Sequence, residues 1–240
     1  VFQQVARPGV LAVVGLALAR YRLGELLPAY ELVQAARQQL ESSPLLWTME
    51  GYFALLAALV QESQTCLEHA LKLAPDYTLA RTLLAQMRLV QNRKAAARQE
   101  ASQALAQAPQ SPAALVTMAL VEIAHFNPAI AKTHLEKAIK VDPRFVPAYV
   151  YLAKIWLGSE YLGRAQQTID QARRLAPQDA EVLSLAGFVR LAYRDYEGAQ
   201  LLFNRAIEVS PGLGEPHLGL GICAFRYREM DRGLSEMLVA

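Results

Sequence analysis

Residues 180–213 read AEVLSLAGFVRLAYRDYEGAQLLFNRAIEVSPGL. The stretch closes near Pro211, and steps of 34 residues towards the N-terminus land on Pro177, Pro143, Pro109 and Pro75. The chain holds 12 prolines in 240 residues, so five at one spacing mark a period and not an accident. Rows of 34 starting at Val10 turn that period into columns. The eighth place holds Ala17, Gly51, Ala85, Ala119, Ala153, Gly187 and Gly221. The twentieth holds Ala29, Ser63, Ala97, Ala131, Ala165, Ala199 and Gly233, and the twenty-seventh Ala36, Ala70, Ala104, Ala138, Ala172, Ala206 and Ala240. Side chains this small let two helix backbones approach closely, so the three columns mark helix crossings. The twenty-fourth place is apolar throughout: Val33, Leu67, Ala101, Leu135, Ile169, Phe203 and Met237.

Within a row the apolar spacing is helical. Leu115, Met118, Ala119 and Glu122 share one face, and Ile130, Leu135, Ala138 and Ile139 another, which predicts two helices joined by a short turn. Asn127-Pro128 predicts an N-cap and first residue of a second helix. The proline column ends that helix, because proline cannot continue it and biases its predecessor towards extended backbone. Pro44, Pro112, Pro147 and Pro216 fall in the first turn of the next row, and Pro28 in that of a second helix. A missing N–H costs nothing there. No stretch alternates as a half-buried strand would.

These columns resemble the tetratricopeptide repeat, a 34-residue helix–turn–helix unit. Row two carries its pattern in Trp47, Gly51, Ala70 and Pro75; row six carries it in Gly187, Asp195-Tyr196, Ala199, Phe203, Ala206 and Pro211. The resemblance covers Val10 to Ala240. It implies an all-α fold: an α-solenoid, a right-handed superhelix of about seven helix-turn-helix repeats with a concave inner face. The repeats are 10–43, 44–77, 78–111, 112–145, 146–179, 180–213 and an incomplete 214–240. They are expected to form one array over 10–240 without internal domain boundaries, since contacts are nearest-neighbour. Residues 1–9 are expected to be the tail of a preceding helix or a linker. With no initiating Met, and Ala240 falling in mid-helix, the sequence is expected to be a fragment of a longer repeat protein.

Composition excludes several classes. Lys and Arg total 24 against 22 Asp and Glu, a net +2 that argues against a basic nucleic-acid domain. A chain 53% hydrophobic and 19% charged is not disordered. No apolar run approaches the roughly 18 residues of a spanning helix. Val10 to Ala19 follows Arg7 as a signal-peptide core would, but Leu16 and Ala17 fall in column, which makes it the first helix of row one. Cys66 and Cys223 stand five repeats apart, too far for a disulfide, and read as small core residues. His69, His125, His134 and His217 show no ligand spacing; His125 and His134 lie across a turn, but two ligands make a poor metal site. No phosphate loop, serine nucleophile motif or dinucleotide fingerprint is present. The expectation is no catalytic residue, no metal, no cofactor and no enzyme activity.

Glu50 takes the seventh place, where the resemblance implies a core-facing Leu. A buried carboxylate must be paired or protonated, and Arg81 in row three is a candidate partner. Arg88 and Glu122 share a column in adjacent rows and are expected to pair in a similar way. Arg93, Lys94, Arg98, Arg173 and Arg174 fall on second helices and read as a solvated outer face. RNA-reading arrays resembling pentatricopeptide repeats are a rival class, but neither their 35-residue period nor their recurring polar pair is found.

The resemblance also implies that the fifth, ninth and twelfth places of each first helix line the groove. The fifth reads Val14, Thr48, Thr82, Val116, Val150, Ser184 and Leu218. The ninth reads Leu18, Tyr52, Gln86, Leu120, Lys154, Phe188 and Ile222, and the twelfth Tyr21, Leu55, Leu89, Ile123, Leu157, Leu191 and Phe225. The candidate partner-binding residues are Tyr52, Leu55, Gln86, Leu89, Val116, Leu120, Ile123, Lys154, Leu157, Phe188 and Leu191. A family clamp for acidic C-terminal tails needs Lys and Asn in consecutive rows; Lys154 has no Asn beside it, so the clamp is excluded. An apolar lining fits an amphipathic helix or apolar segment. Covering about 400 Å² would gain roughly 10 kcal/mol gross at about 25 cal/mol per Å², much of it offset by ordering the partner. The expected function is a non-catalytic scaffold that binds another polypeptide or itself, with no nucleic acid and no membrane insertion. The alternative is a self-associating or accessory array of a larger enzyme or of a bacterial envelope or secretion protein. The compartment would be cytoplasmic or bacterial periplasmic.

Overall fold

A computed structural model describes residues 9–240, so the expectation for the stretch 1–8 lies outside it. Among the described residues there are fourteen helices and no strand. The first helices of the seven hairpins are α1 (Val10–Arg22), α3 (Pro44–Leu56), α5 (Thr78–Val90), α7 (Pro112–Ala124), α9 (Val146–Gly158), α11 (Ala180–Ala192) and α13 (Gly214–Arg226). The second helices are α2 (Leu26–Gln39), α4 (Val60–Leu73), α6 (Lys94–Gln107), α8 (Pro128–Val141), α10 (Leu162–Leu175), α12 (Tyr196–Val209) and α14 (Met230–Val239).

Local chemistry sets the helix ends. Ser43, Ser111, Asp179 and Asp195 accept hydrogen bonds from the backbone N–H groups of Leu46, Ala114, Val182 and Gly198. Each such cap contributes about 1 kcal/mol. Asn127 stands at the N-cap of α8 as expected, but its side chain makes no capping hydrogen bond; Pro128 at the first helical position carries that start instead. The proline column follows the C-caps Ala74, Ala108, Asp142, Ala176 and Ser210, which adopt φ between −135° and −142°. Leu40 has the same geometry with Glu41 after it, so the turn belongs to the repeat and proline merely suits it.

The turn inside each hairpin holds a column that the sequence did not reveal. Gly24, Ala58, Asn92, Phe126, Glu160, Arg194 and Arg228, each 34 residues from the next, all have positive φ. The N–H three places past the last helical residue returns to the helix: Leu59 bonds the Ala54 carbonyl at 2.8 Å, and Asp195 that of Arg190 at 3.0 Å. This is a Schellman closure, which favours Gly at the left-handed position. Six of the seven residues are not Gly, each strained by about 1 kcal/mol.

The helices group into two compact units, the first ending at Phe126 and the second starting at Asn127. In the first, α1 to α7 each pack on the next helix, and α1, α3, α5 and α7 also pack on one another in order. In the second, α8 to α14 do the same, with α9, α11 and α13 in direct succession. The small columns at the eighth and twentieth places are buried in all seven repeats. The twenty-fourth place is fully buried from Val33 to Phe203. Phe203 is the largest of these knobs, and glycines make its hole. A Cβ on Gly187 would lie 2.5 Å from the Phe203 ring, and one on Gly219 would also overlap it.

Two polar expectations need correction. Glu50 is buried and pairs with Arg37 of α2, not with Arg81: Arg37 Nε donates to Oε2 at 2.6 Å and Nη2 to Oε1 at 3.1 Å. The Trp47 ring covers that guanidinium, 4.4 Å from its centroid. Arg81 instead binds Glu100 at 2.9 Å and the Pro75 carbonyl at 2.7 Å. Arg88 pairs with Glu68, and buried Glu122 with Arg98, each at 3.1 Å. Glu50, Arg88 and Glu122 thus find partners on the preceding second helix, whereas Arg81 pairs with the following one. Arg98 accordingly belongs to an ion pair and not to a simply solvated face.

Gly187→Ala is expected to destabilise the fold by about 1–3 kcal/mol through overpacking against Phe203. In a Phe203→Ala background the same change should stabilise by about 1 kcal/mol, because helical Gly is otherwise unfavourable. Denaturant unfolding of both pairs measures the reversal. Arg37→Ala should cost about 3 kcal/mol by stranding the Glu50 carboxylate. Arg37→Leu combined with Glu50→Leu should recover most of that loss in the same assay.

Candidate functional site

Within each unit the first helices of neighbouring hairpins touch directly, whereas second helices meet through them. Within each unit the first-helix side is therefore the shorter, inner one. The ninth and twelfth places are three residues apart, so both fall on one side of a helix. In the first unit they form a strip of Tyr52, Leu55, Gln86, Leu89, Leu120 and Ile123. All are half-buried except Ile123, which is 36% exposed. The Gln86 amide donates to Thr117 Oγ1 at 3.0 Å, tying repeat three to repeat four. The Tyr21 ring meets Tyr52 edge-on with centroids 6.3 Å apart.

The fifth place behaves differently. Val14, Thr48, Thr82, Val116, Val150 and Ser184 are all buried, and Leu218 of the last repeat is exposed. Val116, expected in the groove, is 4% exposed and is a core residue. Direct packing between first helices consumes this column and leaves the ninth and twelfth places open.

In the second unit Lys154, Leu157, Phe188 and Leu191 are half-buried. Lys154, Leu157 and Phe188, with Gly158, Leu185, Leu218 and Glu215, line a cleft of about 340 Å³. Phe188 is held by an edge-on contact to Phe203, centroids 5.0 Å apart. Lys154 Nζ lies 3.1 Å from Glu215 Oε1, so the ion pair links repeats five and seven across repeat six. The Lys154 ammonium also sits 5.8 Å from the Tyr151 ring centroid. Sequence reasoning missed Leu185 and Glu215, because neither occupies a groove place implied by the resemblance. Glu215, at the second place of its row, could have been flagged as an unmatched charge near Lys154.

The other candidates have structural partners. Cys66 is free and buried; burial, with Glu50 adding, pushes its thiol up to about 12, so it stays protonated at neutral pH. Cys223 is also free and buried, and burial raises its pKa. His69 stacks on Trp47, His125 Nδ1 lies 2.8 Å from the Val121 carbonyl, and His217 Nδ1 lies 2.7 Å from Glu236. Among the described residues no three His, Cys, Asp or Glu side chains are grouped to hold a metal ion, and no helix is long and apolar enough to cross a membrane.

Residues 57–112 match the family model described as tetratricopeptide repeat. No curated protein matches the chain. Solved structures with this fold include a thermophilic TPR protein of Thermus thermophilus, 17% identical with a TM-score of 0.68, covering 76% of this chain and 100% of that one. The Cut9–Hcn1 hetero-tetramer of the APC/C aligns at a TM-score of 0.81 and 13% identity over 97% of this chain and 46% of that one. Human IFIT1, solved as a dimer with m7Gppp-AAAA, aligns at 0.69 and 17% identity over 95% of this chain and 60% of that one. This chain thus spans about half the length of these last two proteins. Tetratricopeptide repeat proteins commonly serve as protein-interaction scaffolds. With its 34-residue period, its stacked hairpins and the family match over residues 57–112, the chain has the tetratricopeptide repeat fold.

Proposed function

We propose that the chain is a non-catalytic scaffold that holds a polypeptide segment, an amphipathic helix or an apolar stretch, on its first-helix face. The observation that carries this reading is the contrast between columns. The fifth place is sealed into the core from Val14 to Ser184, while the ninth and twelfth stay half-exposed and almost wholly apolar. Stacking does not need these side chains to be large, yet they are Tyr, Leu, Ile and Phe. Contiguous apolar surface of this kind marks an interaction site. IFIT1 was solved with a capped RNA, but the inner places here offer Lys154 as their one cation, with Glu215 on it. Phosphate binding needs several such cations.

A second reading has its own observation. α1 exposes Leu11 and Leu16, and α14 exposes Leu234, Val239 and Leu238, the last at 89%. These faces suit covering by a further repeat, of the same chain or of a second copy, as each repeat covers its neighbour.

Leu120→Glu and Phe188→Glu should each weaken a copurifying partner's binding about 100-fold with unchanged helicity. Unchanged binding in both would reject the groove. For self-association, sedimentation should show mass rising with concentration and Leu238→Glu should abolish the rise; a constant mass would exclude it.

A further inference from the structure

The eleventh place of a first helix lies against one turn of the second helix before it. From α5, Arg88 donates back to α4, to Gln64 Oε1 at 3.2 Å and Glu68 Oε1 at 3.1 Å. From α7, buried Glu122 accepts from Arg98 of α6 at 3.1 Å. The same places meet at Trp156 of α9, where the Lys132 ammonium of α8 sits 4.9 Å from the ring centroid. Gln64, Arg98 and Lys132 share the twenty-first place, and Glu68 stands one turn further on. The charges alternate: acid then base from α4 to α5, base then acid from α6 to α7. We propose that this alternation sets the order in which hairpins of the first unit stack.

The apolar packing does not set that order. The small eighth and twentieth columns are buried in all seven repeats, and contacts in such an array are nearest-neighbour. A hairpin that skips a repeat, or that stacks on a second copy, therefore meets the same crossing. The polar junctions reject these slips. With repeat three skipped, α4 would stack on α7 and set Glu68 beside Glu122, which is buried and would be parted from Arg98. With repeat three repeated, α6 would stack on the α5 of a second copy and set Arg98 beside Arg88. A buried charge without its counter-ion is costly, and a like charge beside it adds to the cost. Of these three arrangements only the native one pairs all four charges. A polar pair at an otherwise apolar contact fixes register in coiled coils by the same means.

Refolding the whole chain from denaturant at high protein concentration, followed by size exclusion with light scattering, tests this. Every sample carries Leu238→Glu, so that end-to-end association through α14 does not contribute. Arg98→Glu with Glu122→Arg keeps both ion pairs but gives the two junctions the same sign, so both slips become matched. Glu68→Arg with Arg88→Glu does the same from the other junction. Each double variant is expected to trap about tenfold more dimer, stable to dilution, than the Leu238→Glu background alone. The quadruple variant inverts every charge and restores alternation, so it should return to the background level. Where a double variant fails to refold, recovery of monomer in the quadruple is the same result. Doubles that trap no more dimer than the background, or a quadruple that behaves no better than the doubles, would overturn the proposal. The charges would then serve only the local fit of each pair.

Discussion

Everything in this molecule depends on how closely two helices can cross. At the eighth and twentieth places the side chains are Gly, Ala or Ser, and all are buried. The gap they leave is filled from the twenty-fourth place, by Leu67 against Gly51 or by Phe203 against Gly187 and Gly219. Interiors are packed to crystal density, so knob and hole must change together. Repetition of this one crossing gives hairpins of constant geometry, and constant geometry gives a stack.

The proposed binding surface follows from the stack. First helices pack on first helices, which buries the fifth place and turns the ninth and twelfth inward but not under. The two units then differ in chemistry. The first presents Tyr52, Leu55, Leu89, Leu120 and Ile123, a strip without charge. The second presents an apolar cleft edged by Lys154 and Glu215. A partner's apolar anchors would supply affinity along both.

The fold was legible because repetition multiplies a weak signal. One proline after a helix says little; five at one spacing set the period, and the small columns set the crossings. The left-handed turn residues were not legible, since Glu160, Arg194 and Arg228 carry no turn preference and are held by the Schellman closure around them. Glu50 was recognised as needing a partner, but the partner was misplaced. Glu50, like Glu122, faces backwards onto the preceding second helix, which spacing alone does not tell. The groove list erred at Val116 for a related reason: the fifth place faces inward, but the next first helix takes it.

The most direct test of the account is site-specific photocrosslinking in the native cell from Phe188, with Leu201 on the outward face of α12 as the control. The account expects a crosslink from Phe188 to one foreign polypeptide, competed by a peptide that binds the cleft, and none to that polypeptide from Leu201. Equal crosslinking from both positions, or crosslinks from Phe188 to copies of this chain alone, would contradict it.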